Sequence, residues 1–313
     1  MTINIIKDSI KWNKLAFKTL KNPLEVLLFR IGLKNKTNIK TKTIGNFFIE
    51  NNRYKINIIS KIMKFQYTVL NNSNISEEKI KKFKKLIYQF CSDEKIIEID
   101  GIKYLNNIDA FVLFEEFFEE GSMIFSELEN KIAIDIGANI GDTALYFANN
   151  GCEVYAYEPV PDIFKIAIEN INLNPTLTNK IHLFNYAVSD ENKEIEIIAN
   201  GSASSIYAKG SEKYKIKAYS LDFIINQLHE KNIYPNILKM DCEGSEFDII
   251  PNSNLKIFEE ISLEYHTKMT GIDKDILIKT LQNQDFEIKG IYKAPEIDIP
   301  IEEIGIIHAI KKK

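Results

Sequence analysis

A chain of 313 residues, 45% hydrophobic and 27% charged, can bury a sizeable core and suits one large domain plus a smaller one. No apolar run approaches the roughly 20 residues that cross a bilayer, and the first residues lack the apolar core and cleavage site of a signal peptide, so spanning and export are both excluded as expectations. Cys91, Cys152 and Cys242 are odd in number and free of C-x-x-C spacing, which argues against a disulfide framework or a zinc site and predicts a reducing cytoplasm.

The net charge of −4 is unevenly spread. Residues 1–43 hold ten Lys/Arg against Asp8 and Glu25, a net +8, which leaves −12 for the remainder. This basic segment also carries Ile5, Ile6, Ile10, Trp12, Leu15, Phe17, Leu20 and the stretch Leu24 to Leu28. Packing on its own protein is the favoured reading, because amphipathic stripes mostly face a core. Peripheral contact with an anionic membrane or glycolipid surface is the second, and nucleic acid, with only charge in its favour, is not expected. Asn22-Pro23 breaks the first helical stretch, and Thr43 to Val69 reads as strand-like with a turn at Asn51-Asn52. From Ser76 a helix follows, with Glu77 and Glu78 at its positive end and Ile80, Phe83, Ile87 and Phe90 on one face. Asp100-Gly101 between two short apolar runs specifies a two-residue hairpin turn, and the domain boundary is placed there: an accessory region at 1–100 and a second domain at 101–313.

Ile108 to Glu120 reads as a helix. Strands then alternate with helices at about 132–136, 153–158, 181–187, 236–241 and 261–266, the pattern of a parallel sheet with right-handed crossovers. Phe286 to Tyr292 and Gly305 to Ile310 add an antiparallel edge, for seven core strands. The expected fold class is α/β: a Rossmann-like, mostly parallel sheet with an antiparallel last strand, flanked by helices, beside a smaller N-terminal α+β region. An extra strand pair, Glu194 to Ile198 and Tyr214 to Ala218, is inserted between the third and fourth core strands, where such loops often shape substrate pockets.

The most informative stretch is Ala133-Ile-Asp-Ile-Gly-Ala-Asn-Ile-Gly-Asp142, a buried strand, a glycine turn and the start of a helix. Glycine allows a ligand to lie against the main chain between Asp135 and Asp142. A second strand ends in Glu158, about 20 residues on, where nucleotide folds place their ribose ligand. The spacing lacks the G-x-G-x-x-G of a dinucleotide site. Asp135 and Asp142 would repel a pyrophosphate and attract the ammonium and sulfonium of S-adenosylmethionine.

Several motifs in order resemble the FkbM family of S-adenosylmethionine-dependent methyltransferases over roughly Tyr104 to Lys311. Besides the glycine turn they are Ala156-Tyr-Glu-Pro159, Glu169-Asn-Ile-Asn-Leu-Asn174, Ala187-Val-Ser-Asp190, Ser220-Leu-Asp222, Leu238-Lys-Met-Asp-Cys-Glu-Gly-Ser-Glu246 and Leu263-Glu-Tyr-His266. The resemblance implies methyl transfer to an oxygen, commonly of a sugar on a glycan, glycolipid or related metabolite. It places Asp135, Gly137, Ala138, Asn139 and Gly141 around the methionine moiety, Glu158 at the ribose, and Ala187 and Val188 at the adenine edge; Asp142 and Pro159 are also expected in the cofactor site.

Methyl transfer is an in-line displacement at an activated sulfonium, so the protein must align the partners and exclude water, and a base helps where the acceptor is a hydroxyl. Asp241 and Glu243 follow the fourth strand, at the carboxyl end of the sheet, and are the leading catalytic candidates. They can serve as base or share a divalent cation with the acceptor; equally, Asp241 can cap a helix and Glu243 hold the methionine amine. His266 ends the fifth strand beside them and is a third candidate proton acceptor. No resident metal is assigned. The N-methyltransferase pattern asparagine-proline-proline-aromatic is absent, which favours oxygen acceptors. A protein, lipid or RNA acceptor and a non-catalytic docking module that keeps the fold are the alternatives.

Overall fold

The first strands among the described residues, β1 (Lys36–Lys40) and β2 (Asn46–Glu50), pair antiparallel, and the turn between them passes through Gly45 at φ +105°. The computed structural model describes residues 12–30, 36–50, 55–71, 75–107, 109–114, 125–198, 213–293 and 300–312. Contacts divide the chain into two units, residues 1–101 with 106–114, and residues 102–105 with 115–313.

In the first unit the stretch expected to be strand-like is a strand in β2, and beyond it departs from expectation. Lys55–Asn71 is a helix. Its buried residues Ile58, Ile59, Ile62, Met63 and Phe65 recur with helical, not alternating, spacing. Its β-branched side chains disfavour helix by only about 0.5 kcal/mol each, whereas burying each one stabilises by roughly 1.5–3 kcal/mol, so packing decides. The helix Glu77–Cys91 starts where the sequence places it: Ser76 Oγ accepts the Lys79 N–H at 3.1 Å. Its buried face of Phe83, Leu86, Ile87 and Phe90 joins an aromatic cluster, with Phe83 stacked on Phe65 at 4.1 Å between ring centres. Strand β3 (Ile96–Ile99) leads into Asp100 and Gly101, both at positive φ, 50° and 82°. Of the helix expected at 108–120, residues 112–114 are helical after a 3-10 turn at Asp109–Phe111, and 115–120 lie outside the described residues.

The second unit comprises β4 (Ile102–Leu105), β5 (Ile132–Ile136), β6 (Glu153–Tyr157), β7 (Ile181–Phe184), β8 (Ala187–Ser189), β9 (Lys193–Ile198), β10 (Lys213–Ser220), β11 (Ile237–Met240), β12 (Glu260–His266), β13 (Phe286–Lys293) and β14 (Ile304–Lys311). Seven of them form one sheet in the order β13-β14-β12-β11-β5-β6-β7. The five strands from β12 to β7 are mutually parallel, and β14 is antiparallel to both of its neighbours. This is the Rossmann-like, mostly parallel sheet the sequence predicts, with one refinement. Only the last strand runs against the sheet; it lies inside, and β13 forms the edge. Chain order reverses between β5 and β11, the switch point at which open α/β sheets hold their ligands beyond the carboxyl ends of the strands.

The third expected core strand splits in two. Asn185 leaves the sheet, its Nδ2 donating to the carbonyls of Glu158 (2.9 Å) and Pro159 (3.1 Å), and β8 pairs with the inserted β10 instead. Strands β9 and β10 are antiparallel, as expected of the insert; its loop at 199–212 lies outside the described residues. Among the described residues no helix is long and apolar enough to cross a membrane, and all three cysteines are free thiols.

Candidate active site

The parallel register of β5 and β11 sets Asp135 opposite Lys239. Both side chains are enclosed, with Lys239 Nζ 3.2 Å from Asp135 Oδ1 and donating to the Gly137 carbonyl at 2.9 Å. The turn that follows needs glycine for a steric reason. Gly137 sits at φ +79°, and a Cβ there would stand 1.7 Å from the Asp241 carbonyl oxygen. The amides of Gly137 and Ala138 both donate to the Tyr157 carbonyl at 3.0 Å, Asn139 is at φ 48°, and Gly141, at φ 80°, caps the helix Asp142–Asn149. Asn170, buried on the helix Pro161–Asn172, donates to the Ile140 carbonyl at 2.9 Å and accepts the Leu105 N–H at 2.8 Å. One residue of the Glu169 to Asn174 motif thus braces the turn from behind.

Beyond β6, Glu158 completes this half of the site. Its Oε2 accepts the Asn139 N–H at 2.9 Å and its Oε1 the Val160 N–H at 2.7 Å. Burial pushes its carboxyl up to about 8, against these two hydrogen bonds and the Lys239 charge. Burial likewise raises Asp142 to about 7 and raises Asp135, with Lys239 opposing in both cases. One ammonium therefore balances three enclosed carboxyls.

An open cavity lies over the turn, with about 700 Å³ of free space including its mouth, in the size range of cofactor sites. Gly137, Asn139, Glu158, Pro159, Ala187 and Val188 line it. Asp135, Ala138 and Asp142 do not: they are 0, 1 and 2% exposed and lie beneath it, as does Gly141. Asp135 is paired there with Lys239, and Asp142 is enclosed at the start of its helix. The apolar wall is completed by Ile163 and by Ile195 and Ile197 of the inserted β9. Sequence reasoning did not single out those two isoleucines, although their place in an insert on the carboxyl side was the available signal.

The other wall carries Asp241 and Glu243, and behind them stands His266, only 3% exposed. His266 Nε2 is 3.6 Å from Glu243 Oε2, 3.8 Å from Glu264 Oε1 and 4.0 Å from Asp241 Oδ1. Its Nδ1 is 3.1 Å from Oε1 of the fully buried Glu246, which also accepts the His266 N–H at 2.7 Å and, through Oε2, the Gly244 N–H at 2.8 Å. Burial alone would lower the imidazole pKa; the hydrogen bond and charge of Glu246, then Glu243 and Glu264, outweigh it and raise it to about 10. The carboxylates around it thus favour the protonated imidazole. Glu246 is the group that sequence reasoning passed over, although it closes the Leu238 to Glu246 motif. Glu243 adopts φ 53° and Gly244 φ 106°, an irregular turn that carries the Glu243 side chain to the cavity.

Residues 135–288 match the family model of the Methyltransferase FkbM domain. The chain carries an FkbM methyltransferase domain. FkbM methyltransferases depend on S-adenosylmethionine, the cofactor expected from the glycine turn and Glu158. Among solved structures the chain is similar to methyltransferase FkbM from Methylobacillus flagellatus KT, with 14% identity over 82% of this chain and 60% of that one and a TM-score of 0.41. It is similar also to the magnesium protoporphyrin IX methyltransferase of Synechocystis PCC 6803 with bound S-adenosylmethionine, with 11% identity over 59% of this chain and 72% of that one and a TM-score of 0.37. A third is TrmK of M. capricolum in complex with S-adenosyl-homocysteine, with 17% identity over 59% of this chain and 64% of that one and a TM-score of 0.37. The chain spans about 60% of the length of the FkbM structure it matches. No curated protein matches the sequence.

Proposed function

We propose that the domain at 101–313 transfers the methyl group of S-adenosylmethionine to a hydroxyl oxygen, most readily that of a sugar on a glycan, glycolipid or related metabolite. The observation that carries this reading is one cavity with two polar ends, Asn139 and Glu158 on one side and Asp241 and Glu243 on the other. The residues fit the cofactor. The Glu158 carboxyl can accept from ribose hydroxyls, and the apolar wall of Ile163, Val188, Ile195 and Ile197 suits a flat base. Bound there, the cofactor supplies a methyl group already activated on sulfur. Asp241 or Glu243 would take the proton of the acceptor hydroxyl. Glu246 holds His266 against both carboxylates, which fixes their positions. Support for oxygen comes from the missing amine-cradling motif, and support against RNA from the −12 charge outside residues 1–43.

Calorimetric titration with S-adenosylhomocysteine, and with NAD in parallel, tests the reading. The expected outcome is binding of the former alone, weakened by about 1–3 kcal/mol in Glu158→Ala with the fold intact. Unchanged affinity in that variant would remove Glu158 from the site, and no binding would favour the docking-module alternative. In the basic segment, buried Ala16, Thr19, Leu20, Val26 and Phe29 support packing on the protein itself. Phe17, Leu24 and Leu28, 57, 64 and 38% exposed, support an added peripheral contact with an anionic surface. Salt-sensitive sedimentation with anionic vesicles, lost on deleting residues 1–43, distinguishes the two.

A further inference from the structure

The carboxylates around His266 stand at distances that suit neither hydrogen bonding nor mutual avoidance. One oxygen each of Asp241 and Glu243 and one His266 nitrogen all lie within 4.8 Å of one another. Two ligands on one ion, each bound at roughly 2.0–2.6 Å, stand about 3–5 Å apart, so a single cation can touch all three. The geometry points to a divalent-cation site formed by Asp241, Glu243 and His266 at the carboxyl ends of β11 and β12. This deepens the proposed reaction and rests on it, since the cation would sit in the cavity wall where the acceptor oxygen is received.

Three observations carry the assignment. His266 is 96% buried by its side chain, 4% remaining exposed, and its Nε2 faces Asp241, Glu243 and Glu264 with no oxygen of theirs nearer than 3.6 Å. Asp241 Oδ1 is buried without a hydrogen-bond partner. The other imidazole nitrogen is held by buried Glu246 at 3.1 Å, which fixes the ring and directs Nε2 toward the cluster, the arrangement in which a carboxylate orients a metal-bound histidine. On binding, the ion takes the place of the Nε2 proton. Asp241, Glu243, Glu246 and Glu264, four acidic side chains converging on one imidazole, leave negative charge that a divalent ion offsets better than a proton does. An imidazole among carboxylates selects manganese-class ions over magnesium and calcium, whose preference is for oxygen throughout.

The test is titration of chelator-treated full-length protein with MnCl2, following the loss of the free-ion electron paramagnetic resonance signal. The expected result is one Mn2+ per chain, competed poorly by Mg2+, with affinity reduced at least about tenfold in Glu243→Gln and in His266→Gln. No binding by the wild-type chain, or binding that both variants leave unchanged, overturns the site. Should His266→Gln fail to fold, because its partner Glu246 is fully buried, Glu243→Gln at the cavity wall decides alone. S-adenosylhomocysteine titration of the same wild-type sample separates the two readings. Cofactor binding without Mn2+ binding refutes the cation site and leaves the methyltransferase reading standing, and the reverse pattern refutes that reading instead.

Discussion

Enclosure gives Glu158 a proton near neutral pH, and two donating ribose hydroxyls would take it away. With its pKa raised to about 8 by burial, the free carboxyl is largely protonated at about pH 7. Hydroxyl donors favour the ionised form, so cofactor binding lowers this pKa and releases a proton. Affinity for S-adenosylhomocysteine therefore rises between about pH 6 and pH 8, by at most about tenfold per pH unit, and levels off above. Calorimetry in buffers of different ionisation enthalpy reads the released proton directly, and a heat independent of buffer would contradict the assignment. In the ligand-free fold the sign is opposite. Glu158 and Asp142, raised to about 8 and 7, hold protons more tightly folded than unfolded, so they detract from stability progressively as pH climbs from about 4 to 8. None of this was legible in the sequence. It shows Glu158 after a strand, but whether that carboxyl is solvated or enclosed depends on Asn139, Val160 and the sheet around it.

At the scale of elements, the register of two adjacent strands matters more than either strand alone. Asp135 and Lys239 lie about 100 residues apart in the chain and meet because β5 and β11 pair in that frame. Lys239→Met strands a buried carboxyl and should cost about 3–5 kcal/mol in urea unfolding, whereas Lys239→Met combined with Asp135→Asn should recover most of the loss. A double variant no more stable than the single one would show that the pair is not the cause. The parallel strands were legible because β5, β6 and β11 are short apolar runs flanked by turn residues, and so was the helix Glu77–Cys91 with its Ser76 cap. The helix Lys55–Asn71 was not, because an isoleucine-rich stretch satisfies both periods and only its neighbours choose between them. The break at Asn185 was hidden for the same reason: a short apolar run does not say which of two sheets it joins.

The molecule as a whole has its candidate site where the chain order of the sheet reverses, and that much followed from counting alternating strands and helices in the sequence. The convergence of Asp241, Glu243 and His266 followed too, since each ends or follows a strand of the same parallel set. The partner that fixes them, Glu246, did not, because its direction is set by the short helix Glu246–Ile249 and not by a strand end. Removing Ile304–Lys311 leaves β13 without its partner in the sheet and bares one edge of β12. A chain ending at residue 303 should accumulate as insoluble protein and fail to bind S-adenosylhomocysteine; a soluble, binding-competent truncation would show that the interior strand is dispensable.

That strand also leaves the ribosome after the other described strands of its sheet. While it is still in the exit tunnel, β12, which itself ends in His266, presents a bare edge, and β13 has nothing to pair with. Vectorial synthesis thus delays closure of the sheet until residues 304–311 have emerged, and the nascent chain passes through a stage in which the cofactor turn after β5 has been made for some 160 residues while the far side of the sheet is open.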